Sequence, residues 1–526
     1  MALNFSTYQI ALFDFIQADT GSVIIDAKAG SGKTTTIVEA CNRLPEKTSI
    51  LFLAFNKAIV EELKLRLPEG VACKTFNGIG WSSWLSFAGK RVQIEGNKTR
   101  NIIRDNFRKE DEESYGSFVN KCVALAKSNG LTPEDLDETW MGLIDHHGVS
   151  PDVEGSDIYR GIDLCRKTLR ESIRLSTSVC DFDDQIYMPW LKGSTFQKFD
   201  VIFIDEAQDT NSIQCDLLKR MLKPEGRLIA VGDPNQAIYG FRGADHNAMN
   251  NIREVFNSTV LPLSISYRCG KSIIQEARKY VNDIEAFSGA AEGEVVSMDK
   301  YSIEDFKPSD AILCRNNAPL VEIAYQIISR GRGINFMGKD LGTGLKTLIN
   351  RMEANDLDDL ASKLDRWLDK EIEKAIRKGQ EDKVDALTDK VKCITIFMDN
   401  LPSSRQTVND LIRAIDSLFE GGGRGITLAS VHKSKGREWD RVFILDFNTY
   451  MPSKWANKDW QKVQENNLIY VAITRAKHHL CYLASNGWKD EPSMKGAFEE
   501  NTSVNISAKV ERPKKTSPTS FNPLKK

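Results

Sequence analysis

Four short stretches of this 526-residue chain hold residue types that could do chemistry on a phosphate. The first is "AKAGSGKTT", in which Ala27, Gly30, Ser31 and Gly32 lead into Lys33, Thr34 and Thr35. Small residues let backbone N–H groups approach an anion, and a helix opening at Lys33 adds its partial positive charge. Lys33 would reach the β- and γ-phosphates and Thr34 would hold Mg²⁺ through its hydroxyl. Ala27 stands where the GxxxxGK[ST] pattern has glycine and is small enough to fit. The second stretch, "FDVIFIDEAQDTN", puts Asp205 and Glu206 at the end of an apolar run. Asp205 would coordinate the metal and Glu206 would polarise a water. An acidic pair can also simply cap a helix; together with Lys33 and Thr34 it points to hydrolysis. Hydrolysis further needs positive charge at the transferred phosphate. Arg268 in "SYRCGKS" and Arg475 in "YVAITRAK" are the candidates, with a solvated surface charge as the alternative for each.

These groups need elements to carry them. Apolar, strand-like runs at 22–26, 49–54, 200–204, 227–231 and 259–263 alternate with helical stretches, which predicts a parallel α/β unit. A second set lies at 310–314, 425–430, 441–446 and 479–484. The length exceeds what one core supports, so at least two domains are expected. A formal charge of −2 gives no global attraction to polyanions, so any nucleic-acid site must be a local patch. The ten cysteines are scattered without a CxxC pair and read as reduced, buried thiols of a cytosolic protein. His146 and His147 lack partners for a metal and read as solvated or packed. No apolar run reaches membrane length and the first residues lack a basic start, so neither secretion nor a membrane span is expected.

The ordered set "AGSGKTT", "DEAQDTN", "GDPNQAIYGFRGA", "SYRC", "SVHKSKGREWD" and "YVAITRAK" resembles the UvrD/Rep-like superfamily 1 DNA helicases, in particular short phage and bacterial members related to the F-box DNA helicase branch. The resemblance runs from Gln9 to about Leu483. It implies two RecA-like P-loop domains with parallel sheets, each interrupted by a mainly helical insertion. It also implies ATP and Mg²⁺ between the domains, single-stranded DNA across their tops, and 3′-to-5′ movement. It places Gln9 at the adenine edge, Tyr267 on the adenine face and Glu438 on the ribose hydroxyl. Gln236 becomes the γ-phosphate sensor, and Arg268 and Arg475 become two arginine fingers. Tyr239 and Phe241 would project toward bases, with Arg242 bonding a phosphate or stacking; the alternative is that the two aromatics belong to the core. Asn56, Lys57, Thr75 and His432 match strand-contacting positions. Thr35 stands where many relatives carry an arginine, which bears on nucleotide affinity.

The expected organisation is a first RecA-like domain from 1–89 and 191–275, a helical DNA-binding insertion at 90–190, a second RecA-like domain from 276–345 and 421–500, a helical hairpin insertion at 346–420, and a disordered basic tail at 501–526. Within the hairpin, Leu357, Leu360, Leu364 and Trp367, then Val384, Leu387, Val391, Ile394 and Met398, recur every three or four residues on either side of Gly379. Its charges read as a solvated face. The expected activity is an ATP-dependent 3′-to-5′ DNA helicase in replication, recombination or repair. The alternatives are a single-strand translocase that strips proteins and a non-catalytic nucleotide-gated binding module. Single-stranded, tailed and forked DNA are the expected partners of a monomer in the cytoplasm, with single-strand-binding or recombinase proteins as candidate associates.

Overall fold

The computed structural model of the chain describes residues 4–490 apart from 19–20, 55, 154, 239–246, 378–381 and 421–424. The tail and the aromatic segment with Tyr239, Phe241 and Arg242 therefore lie outside the described residues. Two six-stranded sheets, each wholly parallel, organise the rest. The first contains β1 (Val23–Ala27), β2 (Ile50–Ala54), β3 (Ala72–Thr75), β4 (Phe199–Ile204), β5 (Leu222–Gly232) and β6 (Thr259–Leu263), in the order β3-β2-β4-β5-β1-β6. The second contains β7 (Glu294–Met298), β8 (Ala311–Cys314), β9 (Ile334–Met337), β10 (Ile426–Ser430), β11 (Trp439–Leu445) and β12 (Ala476–Leu483), in the order β7-β12-β11-β8-β10-β9. This is the α/β fold with two RecA-like domains that the motifs imply.

Apolar residues on both faces make the central strands continuous hydrophobic runs. Ile24, Leu51, Leu53, Ile202 and Ile204 point into one core, while Val23, Ile25, Phe52, Val201 and Phe203 point into the other. That is the two-residue alternation of a strand. The first core continues into the helices that fill the chain between β3 and β4, through Tyr115, Phe118, Cys122 and Leu169. The second sheet repeats the arrangement, with Ile312, Leu428 and Phe443 on one side and Leu313, Ala429 and Ile444 on the other.

Strands β3, β7 and β9 are absent from the sequence reading, and all three are sheet edges. Their partly exposed patterns lack the unbroken apolar run by which the central strands are found. The hairpin forms as helices Leu357–Arg377 and Asp382–Asp399. Its Leu360, Leu364, Ile394 and Phe397 share a core with Ile312 and Leu428. Not all of its charges are solvated. Asp389 accepts from the backbone N–H groups of Asn317 (2.9 Å) and Ala318 (2.7 Å), and Asp385 pairs with Arg315 at 3.0 Å. The ten cysteines are all buried and free. No described helix is long and apolar enough to cross a membrane.

Candidate functional site

Parallel strands deliver their carboxyl ends to one edge of a sheet, where α/β folds build sites. In the first sheet that edge gathers the loop after β1, Asn56 after β2, Thr75 at the end of β3, Asp205 and Glu206 after β4, and Asp233 to Gln236 after β5. The loop after β1 turns through left-handed glycines, with φ of 74° at Gly30 and 77° at Gly32. A Cβ on Gly30 would lie 2.5 Å from Arg268 Cβ, so only glycine fits there. The helix Lys33–Asn42 begins without a side-chain cap, which leaves its first N–H groups facing the loop. Lys33 Nζ and Ser31 Oγ are buried without a hydrogen-bond partner. A buried ammonium and an uncapped helix start form a cradle whose missing partner is an anion.

Lys33 Nζ lies 3.9 Å from Glu206 Oε1. Glu206 occupies the left-handed region at φ 56°, rare for a residue with a side chain and characteristic of functional positions. Burial raises its proton affinity, but Lys33 and Lys435 outweigh it and hold the carboxyl down at about 2. Its neighbour Asp205, with burial and the Glu206 charge acting together, is pushed up to about 7. Thr34 sits half-buried in the first helical turn. Among the described residues no group of three or more metal-ligating side chains occurs. A cation at Thr34 and Asp205 would depend on phosphate oxygens, as magnesium sites commonly do.

The second domain supplies the opposite wall. Arg475 is 1 % exposed, which excludes the solvated-charge reading. It donates to Val471 O (2.9 Å), Arg437 O (2.9 Å) and Thr474 Oγ1 (3.2 Å), two carbonyls and a hydroxyl rather than a carboxylate. Burial, then the Arg268 charge, lowers it to about 10, still cationic at neutral pH. Arg268 donates to Thr474 O at 3.2 Å and pairs with Glu438 at 2.5 Å. Glu438 also pairs with Lys477 at 2.9 Å, so its oxygens already hold two cations where a ribose contact was expected. Gln236 is buried and donates to Asp233 Oδ2 at 2.7 Å.

Gln9 is buried, donates to Thr36 Oγ1 (2.8 Å) and accepts from Ser6 N (2.9 Å), so its amide is engaged locally. Tyr267 is 40 % exposed, with its ring 5.1 Å from that of Phe287. Thr35 accepts from Arg66 at 3.1 Å, which brings a guanidinium to this position from the turn after the helix Lys57–Lys64. Ala27 is fully buried at the end of β1.

Among the strand-contacting candidates, Asn56 and Thr75 cap helices Lys57–Lys64 and Phe76–Ala88, accepting from Ile59 N at 2.9 Å and Gly78 N at 3.0 Å. Their local structural role was not anticipated, although both helix starts face the same sheet edge. Lys57 is exposed. His432 lines a cavity of about 390 Å³ with Lys121, Asn317, Trp455 and Trp460. Phe182, not singled out in the sequence, is 61 % exposed, and its carbonyl accepts from Asn77 at 2.9 Å. Lys435 was missed too. Its ammonium crosses the cleft to Asp209 Oδ2 (2.8 Å) and Gln236 O (2.9 Å). It sits inside "SVHKSKG", but lysine in a polar stretch gives no signal that separates it from Lys433.

Two parallel-sheet domains that meet across a phosphate loop and paired arginines define a P-loop motor architecture. The chain belongs to the UvrD/Rep helicase family: residues 12–257 match the UvrD/REP helicase N-terminal domain and residues 346–486 the UvrD-like helicase C-terminal domain. It is 26 % identical to F-box DNA helicase 1 of Gallus gallus, over 89 % of this chain and 48 % of that protein. It is 27 % identical to F-box DNA helicase protein 1 of Schizosaccharomyces pombe, over 88 % of this chain and 56 % of that protein. A probable DNA helicase II homolog of Mycoplasma genitalium is 24 % identical, over 88 % of this chain and 83 % of that protein. The chain thus spans about half the length of the two F-box relatives.

Proposed function

We propose that the protein is an ATP-dependent DNA helicase that moves 3′-to-5′ on single-stranded DNA and acts in replication, recombination or repair. The observation that carries this reading is the placement of Arg475, a buried cation bonded only to neutral oxygens, in the same cleft as Lys33 and Glu206 of the other domain. The bound nucleotide supplies the anion that Arg475 lacks and gives Lys33, 3.9 Å from Glu206, a hydrogen-bonding partner. Lys33 and the uncapped helix start hold its phosphates, and Glu206 accepts a proton from the attacking water. Thr34 and Asp205 would hold Mg²⁺, which would neutralise phosphate charge. Arg268 and Arg475 stabilise the transferring phosphoryl group, so hydrolysis requires the domains to close. The strand lies over the carboxyl edges of both sheets, near Lys57, Phe182 and His432, and the 3′-to-5′ direction follows the family resemblance.

Steady-state ATP hydrolysis with and without oligothymidine tests this reading. The expected result is at least tenfold stimulation by the strand, with Lys33→Ala reducing the stimulated rate to background. Hydrolysis indifferent to both the strand and Lys33 would remove the assignment.

A further inference from the structure

One helix of the second domain, Asp459–Ile473, ends just before Arg475 and turns one face to the turn Pro234–Gln236 of the first domain. Asn467 and Tyr470 lie three residues apart, hence on one side of that helix. Asn467 Nδ2 donates to Pro234 O at 3.2 Å and Ala237 O at 3.1 Å, spanning both ends of the turn. The Tyr470 hydroxyl, in a fully buried side chain, accepts from the Ala29 N–H of the phosphate loop at 2.8 Å and donates to Asp233 Oδ2 at 3.2 Å. Asp233 Oδ2 also accepts from Gln236 Nε2 at 2.7 Å, and Asp233 N donates to Gln208 Oε1 at 3.1 Å. Gln208 in turn donates to the Glu206 carboxylate. Ala29 and Ile238 pack in the same apolar cluster as Leu468, Ile469 and Ile473, which keeps water from these bonds.

Among the described residues, the Tyr470 hydroxyl touches the phosphate loop and the Asp233 hub together, and it arrives from the far domain. We infer that Tyr470 and Asn467 are positioning residues. They set the Asp233–Gln236 turn, and through Gln208 the Glu206 carboxylate, in register with the phosphate loop when the domains seat against each other. Neither is placed to touch the nucleotide. Their effect passes through Gln236 and Glu206, so removing them should slow turnover while leaving nucleotide capture by Lys33 and the helix start intact. This inference rests on the proposed hydrolytic site, but its readout does not require DNA.

The test is ATP hydrolysis by the full chain without nucleic acid, for wild type, Tyr470→Phe, Asn467→Ala, Gln236→Ala and the double variant Tyr470→Phe/Gln236→Ala, with Tm measured for each. The phenylalanine keeps the packing and removes only the hydroxyl. Tyr470→Phe is expected to lower kcat at least tenfold with KM for ATP within about twofold and Tm within a few degrees. Asn467→Ala should lower kcat in the same sense. The double variant should be no slower than the slower single one, because both lesions act on one route. Three results would overturn the inference: kcat within twofold of wild type, a KM rise that accounts for the loss, or a double-variant loss equal to the product of the single losses. Failure of strand stimulation in wild type would instead count against the helicase reading and leave this comparison intact.

Discussion

At the scale of residues, the site is a set of charges whose partners are missing or shared. Arg475 has lost its hydration without gaining a carboxylate among its bonds, an arrangement that costs stability and is kept where an anion must bind. Arg475→Met should therefore lower ATP turnover by about 10³-fold, the low end for an arginine finger, while Tm by calorimetry falls by no more than a few degrees. Unchanged turnover would return Arg475 to a structural role. Lys33 and Glu206 were marked by residue type and the flanking apolar run, whereas Arg475 stood apart from the surface arginines only through the family resemblance. Tyr470, Asn467 and Lys435 were marked by neither. Tyr470 and Lys435 lie inside quoted motifs and Asn467 just before one, but the meaning of each comes from partners more than 190 residues away, as the pairing of Lys435 with Asp209 and of Tyr470 with Ala29 illustrates. Gln9 and Glu438 show the converse: the motif marks the residue, while the folded chain shows it already bonded to Thr36, or to Arg268 and Lys477.

Among the elements, a close approach and a half-buried histidine make two checks available. The helices Phe76–Ala88 and Asp184–Leu191 touch where a Cβ on Gly80 would meet Gln185 O at 2.2 Å. Backbone cannot yield as a side-chain end can, so Gly80→Ala should destabilise the protein by about 1–3 kcal/mol, read as a lowered urea midpoint; an unchanged midpoint would deny the contact. His147 closes the helix Asp137–His146, and burial, then the neighbouring charges of His146, Lys121 and Lys458, lower it to about 4. Below about pH 6.5 the unfolded chain binds a proton that the folded ring refuses until about pH 4, so stability falls as pH drops through that window. His147→Gln should flatten this part of the pH–stability curve. Superimposable curves would mean that other groups set it. The central strands, the apolar edge strand β6 and the helical hairpin could be read from the sequence, whereas the edge strands β3, β7 and β9 could not, because their part-exposed residues break the apolar run.

For the whole molecule, the proposed function requires two domains that close on a nucleotide and so move along a strand. Contacts across the cleft come from several points along the catalytic edge: Lys435 to Asp209, Asn467 to Pro234 and Tyr470 to Ala29. A change at the phosphate loop therefore reaches the second sheet through several short bonds rather than one. The short hairpin is built into the second domain's core through Leu360, Leu364 and Phe397, so it should move with that domain as one unit. The most direct test of the central claim is ATP-driven strand displacement on duplexes that carry only a 3′ or only a 5′ single-stranded tail. The account predicts displacement from the 3′-tailed duplex alone, lost in Glu206→Gln. Displacement from the 5′ tail, or none from either while the strand still stimulates hydrolysis, would contradict it; the second result would leave a translocase that clears bound proteins.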